Sequence, residues 1–236
     1  MKKFIYNLFA KRHFKKSLQT LRQLENKLGT PRSRLAIPFL FRGKGHFKTM
    51  RCMQNPYEIE SLFHMVHELQ PKTVLEIGTA KGGALYLWAQ AAHPEALVMS
   101  VDLPDGEFGG GYHESRIPFY KSFARPQQQL HLVRDDSHAA HTLEHVKRIL
   151  GDRPLDFLFI DGDHTYKGVK QDFELYGPLV RKGGIIGFHD ILPRPDLPDI
   201  QVDRFWNEIR SKYDSVELIG PDGPERKFGS GIIRVR

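Results

Sequence analysis

The stretch LFIDGDHTY, residues 158–166, closes an apolar run with Asp161, Gly162, Asp163 and His164. A second run, GFHD at 187–190, closes with His189 and Asp190. Carboxylates are costly to take out of water, so a chain that sets them at the mouths of apolar segments has a use for them. Asp161, His189 and Asp190 make a reasonable ligand set for a divalent cation. The oxygens point to Mg2+, and the imidazole admits Mn2+ or another transition metal. Such a cation would bind a hydroxyl, lower its pKa and orient it. The same acids would also serve without a metal, by binding cofactor or substrate directly. His164 suits the removal of a hydroxyl proton, because imidazole titrates near neutrality. It equally suits orienting the loop or bonding to substrate, and Asp163 equally suits capping the helix that follows.

A second constellation lies upstream in VLEIGTAKGG, residues 74–83, with Glu76, Gly78 and Gly82. Glycines where a strand turns into a helix allow positive φ and let a ligand approach the backbone. The spacing is G-x-x-x-G-G with Ala80 between, which matches neither the dinucleotide fingerprint nor a P-loop. Asp102 ends the next apolar run, where an acid in a doubly wound sheet takes ribose hydroxyls. Glu76, two residues before the bend, can meet a cationic or amino group. That suits a nucleoside carrying an amino acid better than one carrying a pyrophosphate.

The elements that must position these residues follow from periodicity. Residues 4–28 and 56–70 read as helices, the second with Asn55 as cap, Pro56 in its first turn and Pro71 beyond its end. Strands at 73–78, 96–103, 130–136, 155–161 and 183–190 alternate with helices at 82–93, 115–126, 139–150, 166–180 and 201–212. This alternation gives a parallel sheet covered on both faces. Residues 215–220 and 229–235, joined by a turn at PDGPERK, read as an antiparallel hairpin. The fold class is thus α/β, a doubly wound, mostly parallel seven-stranded sheet with a C-terminal antiparallel hairpin and an N-terminal helical extension.

The E-x-G-x-x-x-G bend, the acid ending strand two, the DDS at 135–137 and the terminal hairpin together resemble class I S-adenosylmethionine-dependent methyltransferases over about residues 53–236. The stretch IDGDHTYKGVKQDFELYGPLVRKGGIIGFHDI is similar to a metal-assisted branch of small-molecule O-methyltransferases, the cephalosporin-hydroxylase-like group and related sugar O-methyltransferases. The resemblance implies S-adenosylmethionine as cofactor. It implies that Glu76, Gly78 and Gly82 line the methionine end, Asp102 takes the ribose, Asp136 and Ser137 flank the adenine, and Asp161 lies under the transferring methyl. It also implies a Rossmann-like fold and a hydroxyl acceptor such as a sugar. His189 departs from that branch, where an acid commonly stands, and the change weakens the case for Mg2+.

Composition bounds the rest. With 236 residues, 40% hydrophobic and 27% charged, a sizeable core is available. The single cysteine, Cys52, excludes an internal disulfide framework and a cysteine zinc site, and points to a reducing cytoplasm. No apolar run nears the roughly 20 residues that cross a bilayer. The opening MKKFIYNLFAKRHFKK lacks the long apolar stretch and cleavage site of a signal peptide.

Residues 1–51 hold 14 Lys and Arg and one acid, Glu25, against a net charge of +7 for the whole chain. The chain therefore reads as a basic leader, 1–52, on an acidic domain, 53–236. The leader could pack on the domain or a second subunit, lie on an anionic membrane, or bind an acidic polymer. Nucleic acid is not expected from so uneven a charge. The Gly-rich GEFGGGYHES, 106–115, reads as a lid with Tyr112 and His113 as contacts, or as a plain surface loop. His138, His141 and His145, like His64 and His67, read as a helix face rather than a zinc site. Two rivals remain: a nicotinamide-dependent oxidoreductase on the same architecture, which the Ala80 bend disfavours, and a non-catalytic module docking through its leader.

Overall fold

Seven strands pair in the computed structural model, which describes residues 2–106, 108, 111–221 and 228–236, and only the backbone of residues 2–9. Strands β1 (Thr73–Ile77), β2 (Leu97–Asp102), β3 (Gln129–Arg134), β4 (Leu155–Ile160) and β5 (Val180–His189) run parallel. Strands β6 (Asp214–Leu218) and β7 (Ser230–Arg234) complete the sheet antiparallel, in the order β3-β2-β1-β4-β5-β7-β6. Strand order reverses between β1 and β4, and ligands bind at the carboxyl edge of such a switch point. The register pairs Ile77 with Ile160 and Ile160 with Phe188. Gly78, Asp161 and His189 therefore leave their strands side by side.

Among the described residues eight α-helices accompany the sheet: α1 (Lys2–Leu28), α2 (Ile37–Leu40), α3 (Pro56–Leu69), α4 (Gly83–Ala91), α5 (Ile117–Lys121), α6 (Ala140–Leu150), α7 (Tyr166–Tyr176) and α8 (Val202–Ile209). Successive strand residues face opposite sides. Val74 joins the core formed with α3, α4 and the region of α5, while Leu75 and Ile77 join the core under α6, α7 and α8. Glu76 shares the side of Val74 by the same alternation, which decides its fate below.

The leader is stitched to that first core. Leu21, Ile37, Phe41, Phe47, Met50 and Cys52 are buried in it, with Phe14, Leu24 and Leu28 packed alongside. Glu25, nearly buried, accepts hydrogen bonds from Arg22 at 2.5 Å and from the Tyr86 hydroxyl of α4 at 3.2 Å. A carboxylate under this much protein needs such hydrogen-bond partners.

Boundaries differ where local chemistry stops a helix. The stretch 115–126 is a 3-10 turn, Glu114–Arg116, followed by the short α5, whose first turn takes Pro118. Helix α7 ends at Tyr176 because Gly177 and Pro178 begin a 3-10 turn, and β5 starts early, at Val180. Asn55 caps α3 by accepting from Tyr57 N at 2.9 Å. Most of the expected turn at PDGPERK, residues 222–227, lies outside the described residues. None of the described helices is long and apolar enough to cross a membrane.

Candidate active site

The carboxyl ends of β1, β2 and β4 and the residues after β3 surround a cavity of about 370 Å3. Six carboxylates line it, Asp102, Asp105, Asp135, Asp136, Asp161 and Asp163, together with His138, and its described walls hold no lysine or arginine.

The bend after β1 forms its floor. Gly78 has φ +94°, and a Cβ there would lie 2.0 Å from the Asp161 carbonyl oxygen, so only glycine lets the β1 and β4 tips meet. Gly82, at φ +74°, heads α4 with its α-carbon against the Tyr120 ring, off the cavity wall. Ala80 on the wall is left-handed at φ +42°, as are Asp105 at +59° and Asp190 at +59°. Three of the four described non-glycine residues with positive φ thus sit at this site, and such strain persists where surrounding structure enforces it.

Glu76 is fully buried beneath the bend and outside the cavity lining. It accepts from Ser100 Oγ at 2.6 Å, and burial holds its pKa well above the ordinary carboxylate value. Asp102 reaches the cavity, where its Oδ1 accepts from Thr79 N at 2.8 Å and Ala80 N at 3.2 Å, and its Oδ2 from Tyr112 N at 3.0 Å. It ties the first bend to the second loop. Burial raises its pKa, and the three backbone donors partly offset that. Each carboxylate oxygen has two acceptor sites, so room for a ribose hydroxyl remains.

Asp136 and Ser137 form the far wall. Beside them His138 sets Nε2 3.2 Å from Oδ1 of Asp172, a fully buried acid. The hydrogen bond that His138 donates to Asp172 raises the His138 pKa above its ordinary value. His141 instead pairs with Asp135 at 2.8 Å in solvent, so the histidines of this stretch do not converge. Phe108, on the second loop, lines the cavity and sets its ring 5.0 Å from that of His164. Residues 107, 109 and 110 of the expected lid lie outside the described residues. Tyr112 is buried, and the His113 ring stacks on His46 at 6.0 Å.

The opposite end of the cavity adjoins a cluster built from both strand tips. Asp161 Oδ1 lies 3.0 Å from His189 Nδ1, which stands 3.5 Å from Asp190 Oδ2. His164 Nδ1 lies 2.9 Å from Asp190 Oδ2. Strands β4 and β5 thus bring Asp161, His189 and Asp190 together, and His164 joins from the following loop. One ligand atom each from Asp161, His164 and Asp190 falls within 4.8 Å of the others. His189, only 3% exposed, lies behind the two carboxylates and bonds between them. Burial alone would lower the His189 and His164 pKa values, but the neighbouring carboxylates outweigh it and raise both. Burial would likewise raise Asp190, yet the two imidazoles hold it well below the usual range. Asp163 accepts from Thr165 N at 2.8 Å, and Thr165 itself caps α7 by accepting from Gly168 N at 2.9 Å.

Three participants escape sequence reasoning. Gln54 donates from Nε2 to Asp161 Oδ2 at 2.6 Å, across 107 positions of chain. Asp172 is read as part of an ordinary helix, and Glu58, buried at the start of α3, lies close enough to His189 and Asp190 to feel their charge. Only a clustering of acids beside the Asn55–Pro56 cap hints at the last.

Residues 75–191 match the family described as "Methyltransferase domain". Among relatives, an uncharacterised protein of Sinorhizobium fredii is 28% identical, over 61% of this chain and 16% of its own. An uncharacterised protein of Acanthamoeba polyphaga mimivirus is 30% identical, over 61% of this chain and 58% of its own. The chain thus spans less than two thirds of either. A rhamnosyl O-methyltransferase of Mycobacterium leprae is 23% identical over 76% of both chains. The O-methyltransferase TomG of Streptomyces achromogenes, solved with S-adenosylmethionine, superposes with a TM-score of 0.59 at 16% identity, covering 87% of this chain and 90% of its own. An O-methyltransferase of Bacillus cereus, solved with S-adenosylhomocysteine, gives 0.57 at 16% identity over 92% and 90%.

Proposed function

We propose that the chain, an S-adenosylmethionine-dependent methyltransferase by its family match over residues 75–191 and its fold, moves the sulfonium methyl to a hydroxyl of a small molecule, a sugar or sugar-bearing metabolite. The observation that carries this is the acidic cavity opening onto the Asp161–His164–Asp190 cluster. Six carboxylates with no facing lysine or arginine favour a cation and a hydroxyl-rich nucleoside. They repel a pyrophosphate, which argues against a nicotinamide dinucleotide. The sugar acceptor draws support from the rhamnosyl O-methyltransferase relative.

In this reading Asp190, held ionised, can only accept, so His164 Nδ1 carries the proton between them and Nε2 is the basic nitrogen. His164 Nε2 takes the acceptor's hydroxyl proton as its oxygen attacks the methyl carbon. The C–S bond breaks, its electron pair passes to sulfur, and neutral S-adenosylhomocysteine remains. Asp161 faces the site of the vanishing positive charge, and Asp102, Asp136 and Ser137 hold the nucleoside. Phe108 packs against His164 and keeps bulk water from it.

The donor set also fits a divalent cation. Two carboxylates and an imidazole with ligand atoms within 4.8 Å suit Mg2+ or Mn2+. Asp190 Oδ1 is moreover buried with no partner. With an ion bound, Asp161, His164 and Asp190 would hold it, His164 then being a ligand and not the base, with His189 behind them orienting the carboxylates. Bound there, it would acidify and orient the acceptor hydroxyl. The exposed cations of α1, among them Lys11, Arg12, Lys15 and Lys16, suit contact with an anionic membrane surface, and a second subunit is the other candidate partner.

Calorimetric titration with S-adenosylhomocysteine and with NAD, followed by mass spectrometry of a glycoside panel incubated with S-adenosylmethionine, tests the reading. Binding of the first ligand alone, and a 14 Da gain on a glycoside that Asp161→Asn abolishes, are expected. Binding of NAD alone would overturn it. Full function with both Asp161 and Asp190 replaced by alanine, but not without residues 1–30, would favour the docking module.

A further inference from the structure

Asp161 stands where the cavity and the cation cluster meet. Its oxygens are held from two sides. His189 Nδ1 bonds Oδ1 at 3.0 Å, and Gln54 Nε2 donates to Oδ2 at 2.6 Å. The Gln54 side chain must present its amide nitrogen here, because a carboxylate has no hydrogen to give the amide oxygen. Gln54 is 5% exposed, and its Oε1 is buried without a partner. A buried amide that leaves its oxygen unsatisfied gives up stability, so its position serves the bond it does make.

The segment carrying Gln54 is itself immobilised. A Cβ on Gly83 would fall 2.2 Å from Arg51 C and Cys52 N, so this stretch lies directly on the start of α4. Arg116 donates to Thr49 O at 2.5 Å, and Cys52 is buried. Gln54 therefore reaches Asp161 from a fixed base, outside the region the family match covers.

We propose that Gln54 is a positioning residue that locks the Asp161 carboxylate toward the cation cluster, with His189 as the opposing clamp. The cation half of this rests on the reading above. Losing a hydrogen bond that orients a metal ligand typically costs about 10–100-fold in metal affinity.

The test uses the full chain and Mn2+ followed by electron paramagnetic resonance, with S-adenosylhomocysteine affinity measured in parallel. Gln54→Met is expected to weaken Mn2+ binding about 10-fold or more and to leave S-adenosylhomocysteine binding within about twofold. Gln54→Asn keeps the amide but falls one methylene short, and stands in if Gln54→Met does not fold. Gln128→Met, which removes another buried amide whose bonds go to Ala89 O and His93 O and not to Asp161, is expected to bind Mn2+ like the wild type. Equal Mn2+ affinity in Gln54→Met and wild type overturns the proposal, as does an equal loss in Gln128→Met. If the wild type takes up no Mn2+, the cation reading fails, and a crystal structure of Gln54→Met decides the rest. An Asp161 carboxylate rotated from its wild-type orientation upholds the clamp, and an unmoved one overturns it.

Discussion

Gly78→Ala probes the joint between the two halves of the site. The added Cβ would stand 2.0 Å from Asp161 O and 3.0 Å from Gly162 N, both backbone atoms that cannot swing aside. Ordinary contact begins near 3.4 Å, so the β1 and β4 tips must part by about 1 Å or more. Alanine at φ +94° adds left-handed strain of about 1–2 kcal/mol. Overpacking a well-filled region costs about 1–3 kcal/mol. Together these give about 2–5 kcal/mol, or roughly 5–20 °C in melting temperature for a chain of this size. Gly29→Ala is the control, since Gly29 has φ +72° and nothing within 4 Å of its Cβ position, leaving conformational strain alone. Thermal unfolding followed by circular dichroism measures both, and calorimetry with S-adenosylhomocysteine measures the site. Gly78→Ala should melt well below Gly29→Ala and lose about 10-fold or more in cofactor affinity. Matching melting temperatures and wild-type affinity would refute the contact between strand tips as the reason for this glycine.

Two further outcomes follow from the titrating groups. His164 must be neutral to accept a proton, and its pKa is raised, so turnover should fall as pH drops through a value above the ordinary 6.5. Asp190→Asn should move that acid limb downward, and His164→Ala should cut kcat by about 10²–10⁴. An acid limb that Asp190→Asn leaves in place argues against the pair. In the His138–Asp172 pair both pKa values are raised, His138 by the bond to Asp172 and Asp172 chiefly by burial. A raised pKa stabilises the fold below the unfolded value and loses that contribution as pH rises through the folded one. Imidazole NMR should show His138 titrating above 6.5, with Asp172→Asn returning it toward 6.5 and abolishing the matching loss of stability above that pH. An unchanged His138 titration in Asp172→Asn would show that the contact is not made in solution.

What could be read from the chain is what depends on local pattern. Apolar runs ending in Asp102, Asp161 and His189 marked strand ends, because a strand covered on both faces tolerates charge only where it emerges. That neighbouring strand tips bring Asp161, His189 and Asp190 together is fixed by the pairing of β4 with β5, which strand alternation and the family resemblance favoured. Long-range partners were not legible. Gln54 is 107 residues from Asp161, and nothing in the residues between them announces the bond. Glu76 shows the limit of reading a site from a motif. Its position before the bend suggested contact with the ligand, whereas alternation along β1 turns it beneath α4 to bond Ser100. The side of the strand decided its environment.

The opening puzzle of carboxylates at strand mouths is met by charge balance on two scales. Within the cluster, Asp161 and Asp190 face His164 and His189, two acids to two bases, with each ion pair running between opposite types. That pairing lets the group sit mostly buried, as an unpaired acid could not. Toward the cavity acids outnumber bases, since Asp102, Asp105, Asp135, Asp136 and Asp163 share the described wall with His138. An uncompensated acidic wall is unfavourable when filled by water and more favourable when filled by a cation. A sulfonium cofactor would supply that charge on binding and surrender it on transfer. The wall that draws the reactant in therefore holds the neutral product less firmly, and turnover needs that difference.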